Sequence, residues 1–290
     1  MSQLTDYAEN KLVDMIRAQA WVLPASLYFG LASAAVDGTI TELSGTGYAR
    51  VSLTRALASW AGTQAAASVL ASTGTSHASS NNTVINWGTS GSAWGTANFV
   101  AVFDAATAGN AICYLPIPTP IVIGAAPQPV SVAIGVLTFT LGLTGGCSDY
   151  LANALIDFIF RGQAFTFPAT VYEALFTAAP TNAGGGTEVG GGAGYARVAV
   201  VGSLANWAGT QAAGSAVAST GTSGQTSNNV TIAFAGPVTA AWGALGWHAE
   251  YDAASGGNLL FWSPLNAIKS VAAGASAPAY QAGARTITFA

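Results

Sequence analysis

Apolar and polar positions along this chain fall into short periodic runs, and the runs occur twice. Near the N-terminus, Tyr7, Ala8, Leu12, Met15, Ile16 and Gln19 recur at helical spacing, and Val13 widens the stripe. Tyr150, Leu151, Leu155, Phe158 and Ile159 form a second such stripe. Thr5 or Ser2 can cap the first helix. Ser148 caps the second, with Asp149 in its first turn, where a negative charge is favoured. Leu12 corresponds to Leu155 and Asp14 to Asp157. Both helices are expected to end before the pairs Gln19-Ala20 and Gln163-Ala164, and Pro24 and Pro168 then impose extended backbone just before them. Because each helix recurs with its repeat, it is expected to cover that repeat's own sheet.

The remaining runs are short and bounded by turn residues, which predicts strands. First strands are expected over Pro24 to Leu31 and Pro168 to Leu175, with Tyr28 matching Tyr172. Further strands are expected over Tyr48 to Leu53 and Tyr195 to Val201, then over Val84 to Trp87 and Thr231 to Phe234. Asn98 to Phe103 turns through Asp104-Ala-Ala into Ala111 to Leu115. Gly246 to Tyr251 turns through Asp252-Ala-Ala into Leu259 to Ser263. The last strands are Val136 to Leu141 and Arg285 to Phe289. Regular short strands without βαβ alternation predict a mainly β fold. It consists of two tandem antiparallel β-sandwich-like domains, each preceded by an N-terminal α-helix. The glycine-rich run from Pro180 to Gly194 either supplies positive φ or marks a mobile loop. It has neither the Lys-Ser/Thr of a phosphate loop nor the context of a dinucleotide fingerprint.

The duplication is explicit. Trp60-Ala-Gly-Thr-Gln-Ala-Ala66 returns as Trp207-Ala-Gly-Thr-Gln-Ala-Ala213, and Ala71-Ser-Thr-Gly-Thr-Ser76 as Ala218-Ser-Thr-Gly-Thr-Ser223. The period is far too long for a solenoid repeat. The expected domains are residues 1–143 and 144–290, with the joint near Leu143 to Cys147. The Ser/Thr/Asn-rich runs Ala71 to Asn82 and Ala218 to Asn229 read either as a shared contact or as plain surface.

Charge narrows the function. Only 7% of residues are charged, against roughly 25% in ordinary soluble domains. A surface so poor in charge suits burial in an assembly better than a free monomer. The net charge of -4, without a basic cluster, argues against nucleic-acid binding. Pro116 to Pro129 is apolar, but its prolines indicate loop or edge rather than a membrane span. The N-terminus is polar and acidic, unlike a signal peptide. Cys113 and Cys147 do not occupy matching positions, and two buried free thiols are expected.

Candidate chemistry is sparse. Arg50 and Arg197 each follow Gly-Tyr-Ala, and Glu42/Glu188 and Asp104/Asp252 recur with them. In so uncharged a chain these suggest an internal ion pair or a carboxylate capping a turn. A glycosidase needs two carboxylates across a cleft, about 5 Å or about 6.5–9.5 Å apart, and no aromatic-rich cleft supports that use of them. Trp60/Trp207 and Trp94/Trp242 repeat, which fits core or interface anchors. His77 and His248 do not match. His248 lies two residues from Glu250 on the same strand face, without a third metal ligand. No Gly-x-Ser-x-Gly elbow or Ser-His-Asp arrangement is visible. No catalytic residue, cofactor or metal is assigned.

The order of motifs carries a resemblance. Glu42-Leu-Ser-Gly-Thr-Gly-Tyr-Ala-Arg50 and Glu188-Val-Gly-Gly-Gly-Ala-Gly-Tyr-Ala-Arg197 lead to Trp-Gly. Phe103-Asp-Ala-Ala or Tyr251-Asp-Ala-Ala and then Gly-Asn follow. This resembles a family of tailed-bacteriophage virion structural proteins described as tail-fibre, minor tail or head-decoration proteins. The resemblance implies a non-enzymatic virion protein that decorates or cements the capsid, or forms part of the tail or fibre apparatus. Its partners would be capsid or tail subunits and further copies of itself, with a trimer the expected state. No nucleic acid or membrane is involved. The rival reading is a tandem carbohydrate-binding module for host-receptor adsorption, which would need exposed coplanar aromatics.

Overall fold

The computed structural model describes residues 3–36, 38–125, 127–141 and 146–289. The expected boundary between residues 143 and 144, and Ser2 as a cap, lie outside the described residues.

Helix α1 (Asp6–Ile16) follows Thr5, whose hydroxyl accepts from the Ala8 amide at 3.4 Å and donates to the Ala111 carbonyl at 2.5 Å. The first repeat continues with β1 (Ser26–Val36), β2 (Thr39–Glu42), β3 (Val51–Thr54), β4 (Ala78–Ser80), β5 (Ile85–Thr89), β6 (Gly95–Phe103), β7 (Ala111–Ile123), β8 (Pro129–Val132) and β9 (Thr138–Thr140). Helix α2 (Asp149–Arg161) is capped by Ser148, which accepts from the Leu151 amide at 3.1 Å. Then come β10 (Thr170–Ala178), β11 (Thr187–Glu188), β12 (Val198–Val201), β13 (Gln225–Ser227), β14 (Ile232–Ala233), β15 (Gly243–Tyr251), β16 (Leu259–Val271), β17 (Ala279–Tyr280) and β18 (Thr286–Thr288).

Both repeats build the same sheet. Its order is β2-β1-β6-β7 in the first repeat and β11-β10-β15-β16 in the second. β3 pairs with Ser26–Phe29 and β2 with Ala32–Val36, so two short strands share one edge of β1 end to end. Two-stranded ladders, β4-β9 and β5-β8, or β13-β18 and β14-β17, complete each β-sandwich-like unit. Every strand pairing among the described residues is antiparallel. The fold is therefore mainly β, with a short helix ahead of each repeat.

The longer strands match their apolar runs, with some extension. β7 continues to Ile123 through Pro116, Pro118 and Pro120, all exposed, at the sheet's edge, where a missing N–H leaves no ladder bond unmade. The short strands β2, β4 and β8 and their counterparts span two to four residues, too few for alternation to register. In the glycine-rich run, Gly184, Gly185, Gly186 and Gly194 all take positive φ, so there glycine supplies backbone geometry that a Cβ would strain.

The chain packs as two compact units. Unit 1 comprises Met1–Glu9, Val22–Gly142 and Asn153–Phe165. Unit 2 comprises Asn10–Trp21, Leu143–Ala152 and Thr166–Ala290. The strands of each repeat stay together. The helices depart from the expectation that each covers its own sheet: beyond its first turn, each belongs with the strands of the other repeat. The physical reason lies on the helices' polar sides. Tyr150, placed on the apolar stripe by spacing, is 44% exposed, whereas Leu151, Leu155 and Ile159 are buried.

Candidate functional site

The repeated glutamate and arginine meet in each unit. Arg50 Nε and Nη2 bind Glu42 Oε1 and Oε2 at 2.9 and 2.8 Å, a two-pronged pair. Its Nη1 donates to the carbonyls of Ala105 and Ala108 at 2.8 and 2.7 Å, and the guanidinium lies 3.3 Å over the Phe103 ring. Arg197 repeats this with Glu188 at 2.9 and 2.8 Å, the carbonyls of Ala253 and Gly256, and the Tyr251 ring. Tyr48 donates to Glu42 at 2.9 Å and accepts from the Leu31 amide at 2.8 Å. Tyr195 does the same with Glu188 and Leu175. Burial, then the neighbouring glutamate, pushes both phenols well above their ordinary range.

Asp104 sits at the head of the turn whose carbonyls Arg50 holds. It accepts from the Asn110 amide at 2.7 Å and from its side chain at 2.8 Å. Asp252 holds Asn258 identically, both contacts at 2.7 Å. The turn closes through Gly109 or Gly257, at φ +69° and +75°. Glutamate, arginine and aspartate thus fix one hairpin in each unit. Arg50→Lys keeps the charge but loses the fork. It should lower stability by about 1.5–3 kcal/mol, read by urea denaturation; an unchanged midpoint would show that the fork is dispensable.

The repeated tryptophans are buried. Trp60, 1% exposed, packs on Phe29 and Phe160 at 5.9 and 4.4 Å between centroids. Trp94 and Trp242 meet Tyr48 and Tyr195 edge-on at 5.3 Å and donate to the Thr46 and Ala193 carbonyls.

The most closely repeated segments form a receptor for a helix's polar stripe. In unit 1, Arg161 donates to the carbonyls of Trp60 at 2.9 Å and Leu70 at 2.5 Å, and to Asp157 at 2.5 Å. Asp157 accepts from the Ser72 amide and hydroxyl at 2.8 and 2.6 Å, and Asn153 bridges Thr63 and the Gly74 carbonyl. In unit 2, Arg17 donates to Trp207 and Val217 carbonyls at 2.9 and 2.7 Å and to Asp14 at 2.7 Å. There Asp14 holds Ser219, and Asn10 bridges Thr210 and Gly221. Asn153, Asp157 and Arg161 lie on one helix face, as do Asn10, Asp14 and Arg17. The repeat pairs Asp14 with Asp157 in sequence but does not by itself single out the two arginines. The signal was an arginine one helical turn beyond each aspartate, on a side that solvent would ordinarily claim.

Unit 2 holds a polar core that unit 1 lacks. His248 Nδ1 faces Glu173 Oε1 at 2.8 Å, and its Nε2 faces Ser263 Oγ at 2.6 Å. Arg285 faces Glu250 at 3.0 Å and Glu173 at 3.5 Å. No Ser-His-Asp arrangement is visible in the sequence, and the acid brought to this histidine is a glutamate 75 residues away: strand pairing aligns Glu173 with Glu250 and His248 with Ser263. Burial holds His248 well below its ordinary range, so it is neutral, and raises Glu173 to about 7 and Glu250 to about 8. Pro264 follows Ser263 and has no N–H to offer an oxyanion. In unit 1 the same positions hold Phe29, Val100, Val102, Leu115 and Leu137, all fully buried.

Cys113 and Cys147 are free and buried, and burial raises both thiols. Among the described residues, no group of three or more His, Cys, Asp or Glu could hold a metal ion. No described helix is long and apolar enough to cross a membrane.

A duplicated β-sandwich-like unit whose repeated charged side chains brace its own hairpins and helix contacts defines a structural protein. The family described as Podophage GP4 fiber I protein gp80 matches residues 3–140 and again 146–288, and the chain belongs to that family, in tandem. It is a structural protein of a tailed-phage virion. No curated protein matches the chain.

Proposed function

We propose that the chain is a fibre subunit that assembles with copies of itself and neighbouring virion proteins through its uncharged surface. The observation that carries this reading is where the charge goes. The sequence has six arginines, at 17, 50, 55, 161, 197 and 285. Each directs its guanidinium to carbonyls or carboxylates within its own unit. The outer surface is therefore poorer in positive charge than the composition suggests, and Ser, Thr, Gly and Ala dominate it. Such a surface resists wrong partners weakly and packs well against a matching neutral one. The family's description as a fibre protein supports the fibre over capsid decoration. Two equivalent units per chain also raise the effective concentration of the second contact once the first forms.

Cryo-electron microscopy of the virion tests the placement. Density for the paired units within a fibre is expected, whereas density at regular capsid-lattice positions would overturn the fibre reading. Native mass spectrometry of the full chain tests self-association. A homo-oligomer is expected, with a trimer as the leading state. A monomer at micromolar concentration would overturn it.

A further inference from the structure

The polar core of unit 2 is a concerted exchange. Strand register equates Glu173 with Phe29, His248 with Val100, Glu250 with Val102 and Ser263 with Leu115. Tyr280 stands opposite Ile232 as Val132 stands opposite Ile85. The Arg285 and Leu137 carbonyls accept from the equivalent amides of Asn228 and Asn81. Six positions that are apolar in one copy are polar or ionisable in the other. An apolar set demonstrably packs in this frame, and burying ionisable groups instead is costly. The exchange calls for a use other than stability.

These residues sit beside a cavity. Its volume is about 540 Å³, the size of a small-molecule site. His248, Ser263, Asn266, Lys269, Tyr280 and Arg285 line it, with Leu245, Pro264 and Pro278 as apolar wall. The charged side chains on the lining are both cations, Lys269 and Arg285, two of the eight bases in the whole chain. Glu173 and Glu250 stand behind Arg285, fully buried and off the lining. The Tyr280 hydroxyl is buried without a hydrogen-bond partner among the described residues.

We propose that unit 2 carries a binding site for a small ligand bearing an oxyanion, a carboxylate or a phosphate, held by Lys269 and Arg285 with Ser263 and Tyr280 as hydroxyl partners. Guanidinium and ammonium supply charge-assisted hydrogen bonds to such a group. Ser263 Oγ shares one hydrogen bond with His248 Nε2 at 2.6 Å and keeps hydrogen-bonding capacity for the ligand. The groups facing Arg285 tune the site: Glu173 from β10, His248 and Glu250 from β15, and Tyr280 from β17. With Glu173 and Glu250 titrating near 7 and 8, acidification strips negative charge from behind Arg285 and leaves its cation for the ligand. His248, held low, stays neutral over the same range.

Isothermal titration calorimetry of the full chain tests this with gluconate, its carboxylate-free analogue sorbitol, and inorganic phosphate. Gluconate or phosphate should bind while sorbitol does not, and which of the two binds identifies the oxyanion. Gluconate affinity, if it is the ligand, should be higher at pH 6 than at pH 8. Lys269 is exposed, so Lys269→Ala will fold, and it should weaken binding about fivefold or more. Absence of binding by both anions at millimolar concentration would overturn the proposal, as would equal binding of sorbitol or an unchanged affinity in Lys269→Ala.

Discussion

Arg161→Ala will destabilise unit 1 by about 3–5 kcal/mol, the usual cost of removing one partner from a buried charged pair. Arg161 is fully buried. Its loss removes the counter-charge of the buried Asp157 carboxylate, which keeps only its Ser72 contacts, and leaves the Trp60 and Leu70 carbonyls without this donor. Unpaired buried polar groups carry their full desolvation cost. Arg17→Ala should cost unit 2 a similar amount, because Asp14, Trp207 and Val217 lose equivalent contacts. The comparison variant is Val22→Ala, at a side chain 86% exposed, expected within about 0.5 kcal/mol of the parent. Urea denaturation followed by tryptophan fluorescence reads the effect, since Trp60 packs on Phe160 beside Arg161. A loss below about 1 kcal/mol for Arg161→Ala would mean that the helix's polar stripe adds specificity rather than stability.

The second large effect runs in opposite directions for one change and for six. Arg285→Leu alone should cost about 3–5 kcal/mol, since it leaves Glu173 and Glu250 buried without their cation. Replacing the set with unit 1's residues (Glu173→Phe, His248→Val, Glu250→Val, Ser263→Leu, Tyr280→Val and Arg285→Leu) should instead match or exceed the parent's stability, by up to about 4 kcal/mol. The pH dependence follows from the raised carboxyls. Both glutamates hold protons in the folded state at pH values where the unfolded chain has released them. Their contribution is complete below about 4.5 and is lost as pH rises through about 7 and 8. The parent's unit 2 should therefore melt at lower temperature at pH 8 than at pH 5, and the six-residue variant should lose much of that slope. Calorimetric scans across this range check both. A six-residue variant less stable than Arg285→Leu would show that the two cores are not interchangeable.

Neither result was legible from sequence alone, though much of the frame was. The caps Thr5 and Ser148, the long strands ending at Phe103 and Tyr251, and the antiparallel class came from local spacing, because periodicity and capping depend on neighbours a few residues apart. The edge position of Pro116, Pro118 and Pro120 followed from proline's missing donor. The Glu42/Arg50 and Glu188/Arg197 pairs could be suspected, since a charge recurring in an uncharged chain needs a partner and the candidates were few. The family resemblance rested on the same local order of residues.

What the sequence determined by itself is the duplication, the kinds of element, and how few charged residues the chain carries. What only the tertiary structure decided is which distant groups meet. His248 is separated from Glu173 by 75 residues and from Ser263 by 15, and strand register alone joins them. The helices' polar stripe faces the repeated Trp-Ala-Gly-Thr and Ser-Thr-Gly segments because buried carbonyls there need donors and Arg17 and Arg161 supply them. A period of 3.6 residues shows which side of a helix is polar. Whether that side meets water or another part of the chain is set by long-range packing, which local spacing does not encode.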